Sequence, residues 1–207
     1  MRKSIVVIGE GITEKYYIES LRGLSDFQIK PRSLNKKASN LKALEKEILD
    51  AANMGADEIY CLIDMDGKTE GKNKEEYLKL KNKYHNQIYE KKKQGVKAFI
   101  LFIESERCTE LWFLYHFIKS ATTKKYNSYQ ELENELQKYR PNYEKTDKYF
   151  RSVGSIHDEL TKDNAEHKGS LEQAIKNAKI TYESHISDDR NYTYTEIYKL
   201  IEALNIE

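Results

Sequence analysis

Three strongly apolar runs lie in the first half of the chain, at residues 5–8, 59–63 and 96–103, the last with a single charge at Lys97. Each is rich in branched or aromatic residues and too short for a buried helix, which favours a strand covered on both faces. The intervening stretches repeat apolar residues at helical spacing. Strands that alternate with such helices are typical of right-handed crossovers, so we expect an α/β fold with a mostly parallel sheet flanked by helices. A weaker strand at residues 27–33 contains Pro31 and is expected at a sheet edge.

Three helices are predicted between these strands. Thr13 can cap the first. The second follows Ser39 and Asn40 and ends at Gly55. The third is a long charged helix that ends at Gly95. Their apolar positions are, in turn, Tyr17, Ile18 and Leu21; Leu41, Leu44, Ile48 and Ala52; and Tyr77, Leu80, Tyr84 and Ile88.

The second half of the chain shows no convincing strand after Cys108, and four helices are predicted there instead. They are one over Leu111, Trp112, Leu114, Tyr115 and Ile118, one behind a capping box of Ser128 and Glu131, one over Leu171, Ala174, Ile175 and Ala178, and one capped by Thr193 with Glu196 and carrying Ile197, Leu200, Ile201 and Leu204. Residues 140–168 are poorly periodic, so mostly loop is expected there. We expect an α/β core over residues 1–110 and a helical extension over residues 111–207, packed on the core as one compact unit.

The composition is that of a folded protein. Of the 207 residues, 33% are charged and 39% are hydrophobic, and the 16 Tyr can bury their rings while their hydroxyl groups stay hydrated. No apolar run approaches the ~18 residues of a membrane span, and no signal-peptide core follows the first residues, so we expect a soluble, cytoplasmic protein. Cys61 and Cys108 lack metal-finger spacing and are expected to be reduced and structural.

Charge is distributed unevenly although the net charge is only +1. Residues 68–93 hold nine Lys against four Glu, a net +5, whereas residues 155–207 hold six Lys and Arg against eleven Asp and Glu, a net −5. The first stretch is either a basic patch for an anionic partner or a solvated helix face. The sequence leaves both interpretations open.

Acidic residues follow all three strong strands. Glu10 follows the first, Asp64 and Asp66 the second, and Glu104 the third. The carboxyl ends of neighbouring parallel strands meet at one edge of a sheet, so we expect these side chains to converge. Unpaired carboxylates in such a group raise one another's pKa and require a cation. Oxygen ligands without a His or Cys cluster favour Mg²⁺ or Mn²⁺.

The spacing of these acids indicates phosphoryl chemistry. Asp64 and Asp66 are expected to point to the same side of an extended chain, so both can serve one metal site. Glu14, one helical turn beyond Glu10, could face a second ion. Two ions about 4 Å apart activate water and stabilise the leaving oxygen of a phosphodiester.

Structural roles compete with chemistry at these positions. An Asp-x-Asp after a strand is often a turn or a helix cap, and for Glu104 both roles are equally open. Glu106 is expected in solvent. His116 falls on the apolar helix, where a satisfied core histidine is the simpler interpretation. Lys15 and Arg107 could stabilise a phosphate or merely be solvated.

Three blocks of the sequence resemble the RloB family. They are Gly9-Glu10-Gly11-Ile12-Thr13-Glu14-Lys15-Tyr16-Tyr17, Asp64-Met65-Asp66, and Glu104-Ser105-Glu106-Arg107-Cys108-Thr109-Glu110-Leu111-Trp112-Phe113-Leu114-Tyr115-His116-Phe117. The segment Asn191-Tyr-Thr-Tyr-Thr195 resembles the family's C-terminal Thr-containing block, so the resemblance spans nearly the whole chain. The third block usually reads Ser-Asn-Pro-Cys-Phe-Glu-Leu-Trp. Here Glu106-Arg107 replaces Asn-Pro and Thr109 replaces the aromatic residue, so that turn departs from the family's pattern.

The resemblance implies a Toprim-like (Rossmann-like) core, related to the nucleases of the OLD family and to the effector of the PARIS phage-defence system. It implies a divalent-metal nuclease that acts on RNA, such as tRNA, or on DNA in restriction or abortive infection. An ATPase or another defence-system protein is the implied partner, and a homo-oligomer is a further candidate. The implied catalytic and metal-binding residues are Glu10, Glu14, Asp64 and Asp66, and the accessory candidates are Ser105, Glu110, Glu104, Lys15 and His116. Glu110 is implied as an outer ligand or a structural residue.

Two other functions stay open. Asp64-Met65-Asp66-Gly67 copies the nucleophile motif of haloacid-dehalogenase-like phosphatases, and Asp188-Asp189 could mimic their metal pair. Lys68 in place of the usual Thr, and the lack of a strong strand before Asp188, speak against that class. In a third interpretation the domain is a non-catalytic module, whose acids hold a structural ion or which acts only beside a partner.

Overall fold

The computed structural model describes residues 3–25, 28–33, 41–121, 124–162, 168–187 and 192–206. Ser39, Asn40, Asp188, Asp189 and Asn191 lie outside these ranges. The strands are β1 Ser4–Gly9, β2 Gln28–Ser33, β3 Glu58–Asp64, β4 Gln87–Lys91 and β5 Val96–Ser105. The helices are α1 Ile12–Leu21, α2 Leu41–Asn53, α3 Gly71–Tyr84, α4 Glu110–Tyr115, α5 Tyr129–Gln137, α6 Asp147–Val153, α7 Ile156–Thr161, α8 Leu171–Ser187 and α9 Ile197–Ala203, with a 3-10 turn over Lys92–Gln94.

These strands form one sheet in the order β2-β1-β3-β5-β4. The first four in that order are parallel, and β4 pairs antiparallel with β5 at one edge. The predicted α/β class with a mostly parallel sheet is confirmed, as is the edge position of β2. Because β1, β3 and β5 are adjacent and parallel, the ends that carry the acids meet at one side of the sheet.

Two cores cover the two faces of the sheet. Strand side chains alternate between faces, so Ile5 and Val7 of β1 pack in one core and Val6 and Ile8 in the other. The first core lies under α1 and the helices from α4 to α9, and the second lies under α2 and α3. The helical second half therefore packs on the sheet, as expected. Within the described ranges, no helix combines the length and apolar character that crossing a bilayer requires.

Both cysteines are buried thiols that form no disulfide, as predicted from the lack of metal-finger spacing. Cys61 lies in β3 and Cys108 lies just before α4. Burial raises the pKa of both thiols, so neither is a reactive thiolate at neutral pH.

The prediction of a long helix up to Gly95 is wrong for the part after Tyr84. Helix α3 ends at Tyr84, and Asn86, at φ +56°, turns the chain into β4. Ile88 was expected on the helix stripe but lies on this edge strand with 59% of its surface exposed. The charged sequence continues the helical spacing by coincidence, and pairing with β5 decides the structure.

The expectation of mostly loop at residues 140–168 is wrong for the described part of that range, which contains α6 and α7, whereas residues 163–167 lie outside the described ranges. Thr146 and Ser155 cap these helices by accepting hydrogen bonds from the backbone N–H three residues later, at 3.1 and 3.2 Å. Each helix is too short to repeat its apolar stripe, and α6 buries one large side chain, Phe150. Periodicity therefore carries little signal here.

Two predicted caps have different outcomes. The Ser128 hydroxyl accepts from the Glu131 N–H at 3.2 Å, which confirms the cap of α5. Thr193 does not cap α9, whose N-cap is Glu196. The Thr193 hydroxyl accepts instead from the Tyr126 N–H at 3.0 Å, and so ties the C-terminal segment to the chain before α5.

Candidate functional site

The turn between β1 and α1 places two carboxylates at the end of β1. The Glu10 side chain is 18% exposed, whereas Glu14 is 1% exposed. Oε2 of Glu14 accepts a hydrogen bond from the Gly11 N–H at 2.6 Å, so Gly11 is the N-cap of α1 and the prediction of Thr13 is wrong. A side-chain carbon at Gly9 would overlap the Cβ of Glu14, and one at Gly11 would lie 2.8 Å from its Oε2. The two glycines therefore allow Glu14 to fold back over the strand end.

Asp64 is the last residue of β3 and points toward α1 and α4. Strand alternation sets this direction, because Tyr60 and Leu62 belong to the core on that face. Oδ1 of Asp64 accepts from the backbone N–H and the hydroxyl of Thr109, at 3.0 and 3.2 Å. Burial, together with the negative charge of Glu14, raises the pKa of Asp64 well above its usual value.

Glu110 begins α4 and has no exposed surface. Its Oε1 accepts from the hydroxyl groups of Thr13 and Tyr143, at 2.8 and 2.9 Å, and pairs with the Lys145 ammonium at 3.0 Å. Burial acts to raise the pKa of Glu110, but the charge of Lys145 and the hydrogen bonds from Cys108, Lys145 and Thr13 together outweigh burial and hold that pKa below its usual value. Burial acts to lower the pKa of Lys145, but the negative charges of Glu110, Asp64 and Glu14 raise it.

The carboxylates of Glu10, Glu14, Asp64 and Glu110 form one group, the acidic cluster. Burial and the charge of Glu110 raise the pKa of Glu14, and burial raises that of Glu10 despite a nearby lysine. Two buried oxygens of the cluster, Glu14 Oε1 and Glu110 Oε2, have no hydrogen-bond partner among the described residues. Buried carboxylate oxygens without a partner are costly, so the cluster is electrostatically incomplete.

Lys68 is the counter-ion of Glu10. It follows Gly67, which has φ +69°, in the turn after β3. Its ammonium donates to Glu10 Oε2 at 2.9 Å and to the backbone carbonyl of Asp64 at 2.6 Å. Lys68 therefore joins the ends of β1 and β3.

Asp66 lies apart from the acidic cluster, with 69% of its side chain exposed. Its Oδ1 accepts from Nη1 of Arg107 at 3.1 Å. The expectation that Asp64 and Asp66 point to the same side is wrong, because β3 ends at Asp64 and the turn that follows breaks the alternation of an extended chain.

Glu104 lies on the opposite face of the sheet. It lies two residues beyond Phe102 in β5 and so on the same face, and Phe102 packs in the core under α3. The Glu104 carboxylate accepts from the Tyr77 hydroxyl, the Lys81 ammonium and the Tyr194 hydroxyl, the last at 2.9 Å. Burial opposes ionisation, but Lys81 and these hydrogen bonds lower the pKa of Glu104. The expected convergence of Glu104 with the other acids is therefore wrong.

The other accessory candidates have no hydrogen bond or ion pair to the acidic cluster within the described ranges. The Ser105 hydroxyl is buried and bonded to the Thr195 hydroxyl at 2.7 Å. Lys15 is exposed, with its ammonium 5.1 Å from the centre of the neighbouring tyrosine ring. His116 is a core residue whose Nδ1 lies 2.9 Å from the Trp112 carbonyl, and burial lowers its pKa to about 3.

A family model described as RloB-like protein matches residues 5–204. The chain belongs to the RloB-like family. The match includes the whole acidic cluster and the strands that carry it, and it confirms the resemblance of the three sequence blocks. No curated protein and no solved structure gives a significant match to this chain. The relationship to Toprim and OLD proteins therefore rests on the sequence resemblance.

Whether this RloB-like site fits a metal ion depends on its donor atoms. In the part of the chain that the structure describes, no group of three or more His, Cys, Asp and Glu side chains is placed so that it could hold a metal ion. The carboxylates are turned instead toward protein donors from Lys68, Gly11, Thr109 and Lys145. The donor set nevertheless fits Mg²⁺ or Mn²⁺ in chemistry, because it is all oxygen and includes two buried atoms without a partner.

Five side chains with hydrogen bonds or ion pairs to the RloB-like cluster are absent from the predicted site: Thr13, Lys68, Thr109, Tyr143 and Lys145. Lys68 and Thr109 lie within a few residues of predicted acids, so their proximity was available as a signal. Tyr143 and Lys145 lie in the segment expected to be loop. Their position depends on long-range packing of α6 and α7, which no local pattern reports.

Proposed function

We propose that this RloB-like protein is a divalent-metal-dependent nuclease that hydrolyses nucleic-acid phosphodiesters. The observation that carries the proposal is the grouping of buried Glu14 and Glu110 with half-buried Glu10 and Asp64, with two carboxylate oxygens left without a partner. A cation would relieve both the repulsion and the missing hydrogen bonds. Bound Mg²⁺ or Mn²⁺ would supply a Lewis acid for the phosphoryl oxygens and lower the pKa of a water nucleophile.

The protein's own residues would have distinct roles. Glu10, Glu14 and Asp64 would hold the ion, with Asp66 at the exposed rim. Thr109 orients Asp64 through two hydrogen bonds, and the Gly11 N–H orients Glu14.

Cations surround this ligand set. Lys145 keeps Glu110 ionised beside the ligands. Lys68 and Arg107, at the rim, would attract the phosphate backbone of a substrate.

The family resemblance supports a role in anti-phage or restriction-linked defence in the cytoplasm. In that setting tRNA or another RNA is preferred over DNA as substrate, and an ATPase or another defence protein is the partner. A homo-oligomer is compatible with the same site. Nothing in the acidic cluster itself discriminates RNA from DNA, so this part of the proposal rests on the resemblance.

The proposal is tested by incubating the purified chain with tRNA, plasmid DNA and single-stranded DNA, in Mn²⁺, Mg²⁺ or EDTA. We expect metal-dependent cleavage that Glu10→Gln and Asp64→Asn each lower by at least about 100-fold, since even second-sphere residues of metal sites are worth 10- to 100-fold. Glu172→Gln, a charge loss at an exposed position of α8, is the matched control and retains activity.

Two results would contradict the proposal that the chain is a nuclease. One is a folded protein that cuts none of these substrates with either metal. The other is hydrolysis of a phosphomonoester that Asp64→Asn abolishes and Glu10→Gln leaves intact, which would support the haloacid-dehalogenase-like phosphatase. A folded chain that cuts nothing but binds partner proteins would support the non-catalytic module.

A further inference from the structure

A cleft of about 390 Å³ opens on the face of the sheet that carries Glu104, at the end where the strands carry their acids. It lies between the turn after β3, helix α3 and the segment that precedes α9. Lys68 and Arg107 line it, and these are the residues that pair with Glu10 and Asp66. Lys68 therefore connects the cleft, called the basic cleft below, to the acidic cluster at the end of the sheet.

Positive charge dominates its lining. Lys68, Lys74, Lys81, Arg107 and Lys125 contribute five cations, against three acids at Glu70, Glu104 and Glu106. Lys81 is engaged by Glu104. Lys74 and Lys125 are exposed, and neither lies within ion-pair distance of an acid in the described ranges, although the charge of Lys125 acts on Glu106 to lower its pKa. These two ammonium groups are available for the phosphates of a ligand.

Aromatic residues also line the basic cleft. His185 stacks on Tyr194, with ring centres 4.0 Å apart and planes 23° apart, and Tyr192 lies beside them. The hydroxyl groups of Tyr77 and Tyr194 both donate to Glu104, so these rings are fixed in place. Tyr77, Tyr192 and Tyr194 are themselves buried, so among the described rings of the cleft the partly exposed His185 is the one that can stack on a base. A fixed ring beside available ammonium groups matches the two recognition elements of single-stranded nucleic acid, which are stacked bases and a charged backbone.

The aromatic lining distinguishes between kinds of nucleic acid. A duplex presents phosphates and groove edges, but its bases are stacked on one another and cannot stack on protein rings. Unpaired nucleotides can do so, and the cleft has the size of pockets that hold small ligands, roughly 300 to 1,000 Å³. The cleft therefore suits one or two unpaired nucleotides better than a helix.

We propose that the basic cleft binds an unpaired stretch of the nucleic-acid substrate next to the phosphodiester to be cut. Lys74 and Lys125 contact its phosphates, and His185 stacks against a base. The cutting step rests on the proposed nuclease function, but binding in the basic cleft can be measured without it.

The test is fluorescence anisotropy in EDTA, with a labelled single-stranded RNA, a blunt duplex of the same sequence and a labelled nucleoside triphosphate as separate probes. We expect the single strand to bind most tightly. Lys74→Gln with Lys125→Gln should weaken it by at least about tenfold near 0.1 M salt and lower the salt slope by about 1.4, since each phosphate contact to a single strand contributes about 0.7. His185→Ala should cost at least about fivefold, the lower end of base-stacking effects.

The matched control is Lys42→Gln with Lys46→Gln, which removes the same charge from exposed positions of α2 on another part of the surface. The proposal is overturned if the two double variants bind equally well, or if the duplex or the free nucleotide binds more tightly than the single strand. If the single strand binds through the basic cleft but no metal-dependent cutting is found, the cleft proposal stands and the nuclease proposal fails. If the chain cuts nucleic acid and the Lys74→Gln, Lys125→Gln variant keeps both its KM and its binding, the nuclease proposal stands and the cleft proposal fails.

Discussion

Two groups of buried acids lie on opposite faces of the same sheet, and they are built differently. In the Glu104 network, formed by Glu104, Tyr77, Lys81 and Tyr194, both carboxylate oxygens accept hydrogen bonds and the pKa of the acid is lowered. In the acidic cluster, two oxygens lack a partner and three of the four pKa values are raised. Burial of an acid is common to both groups, so burial alone does not identify a functional site.

The difference lies in how the donors are distributed over the carboxylate oxygens. The ammonium and two phenol hydroxyl groups around Glu104 reach both of its oxygens, which makes it a satisfied structural charge. Glu110 also has one ammonium and two hydroxyl groups, but all three reach Oε1 and leave Oε2 without a partner. The four acids of the cluster share Lys68 and Lys145, together with hydroxyl and backbone donors. A deficit of donors around oxygen ligands is what a cation would complete. The predictions below test whether the two groups respond oppositely to charge removal and to metal.

The largest expected effect is on the Glu104 network. Glu104→Ala should lower the free energy of unfolding by about 3 kcal/mol, because it leaves Lys81, Tyr77 and Tyr194 without their acceptor inside the protein. Urea denaturation measures the change, and Glu104→Gln, which keeps an acceptor for the phenols, should lose less. A loss below about 1 kcal/mol for the alanine variant would show that the network is not the structural group described here.

Metal binding should stabilise the acidic cluster by a comparable amount. At 100 times its Kd, Mn²⁺ should add about 2.7 kcal/mol to the free energy of unfolding of the wild-type chain, because it binds only the folded site. Asp64→Asn should abolish this gain, and Glu104→Gln should keep it, since Glu104 lies on the other face. Equal gains in both variants, measured by urea denaturation with and without Mn²⁺, would contradict the assignment of the metal to the cluster.

Strand parity explains why the sequence predicted some of these positions and not others. Apolar runs and their order were enough for the α/β class and for placing Glu10 and Asp64 at adjacent strand ends. Alternation fixes the direction of a side chain only as far as its strand extends, and strand ends predicted from a sequence pattern are uncertain by a few residues. Glu104 is the ninth residue of a ten-residue strand rather than the first residue beyond it, so it faces α3.

The donors around the acids were harder to predict than the acids themselves. Tyr143 and Lys145 reach Glu110 from a distant segment whose two short helices leave no periodic signal. Thr13 was predicted as a helix cap from local sequence, but tertiary structure gives its hydroxyl to Glu110, 97 residues away. Local chemistry thus predicts which residues are able to bind a metal, whereas long-range packing decides which acids are already paired.

The smallest expected effect is a change in the free energy of unfolding that has opposite signs in the acidic cluster and in the Glu104 network. In the absence of metal, Glu14→Gln should raise the free energy of unfolding by about 1 kcal/mol at neutral pH, because it removes a buried charge whose Oε1 lacks a partner while keeping an acceptor for the Gly11 N–H. The pKa of Glu14 is raised in the folded protein, so over the pH range above the ordinary carboxyl pKa the native state binds more protons than the unfolded state. Wild-type stability therefore falls as pH rises through that range, and the variant should fall less.

Thermal unfolding across that pH range, in EDTA, measures the difference between Glu14→Gln and the wild-type chain. Glu172→Gln, at an exposed position, should follow the wild-type curve and controls for the loss of one charge. The Glu104 network predicts the opposite sign, because its lowered pKa makes the ionised form stabilising above the ordinary carboxyl pKa, so Glu104→Gln should lose most stability there. If both variants shift stability in the same direction at neutral pH, the two groups of acids do not differ in the way their hydrogen bonds indicate.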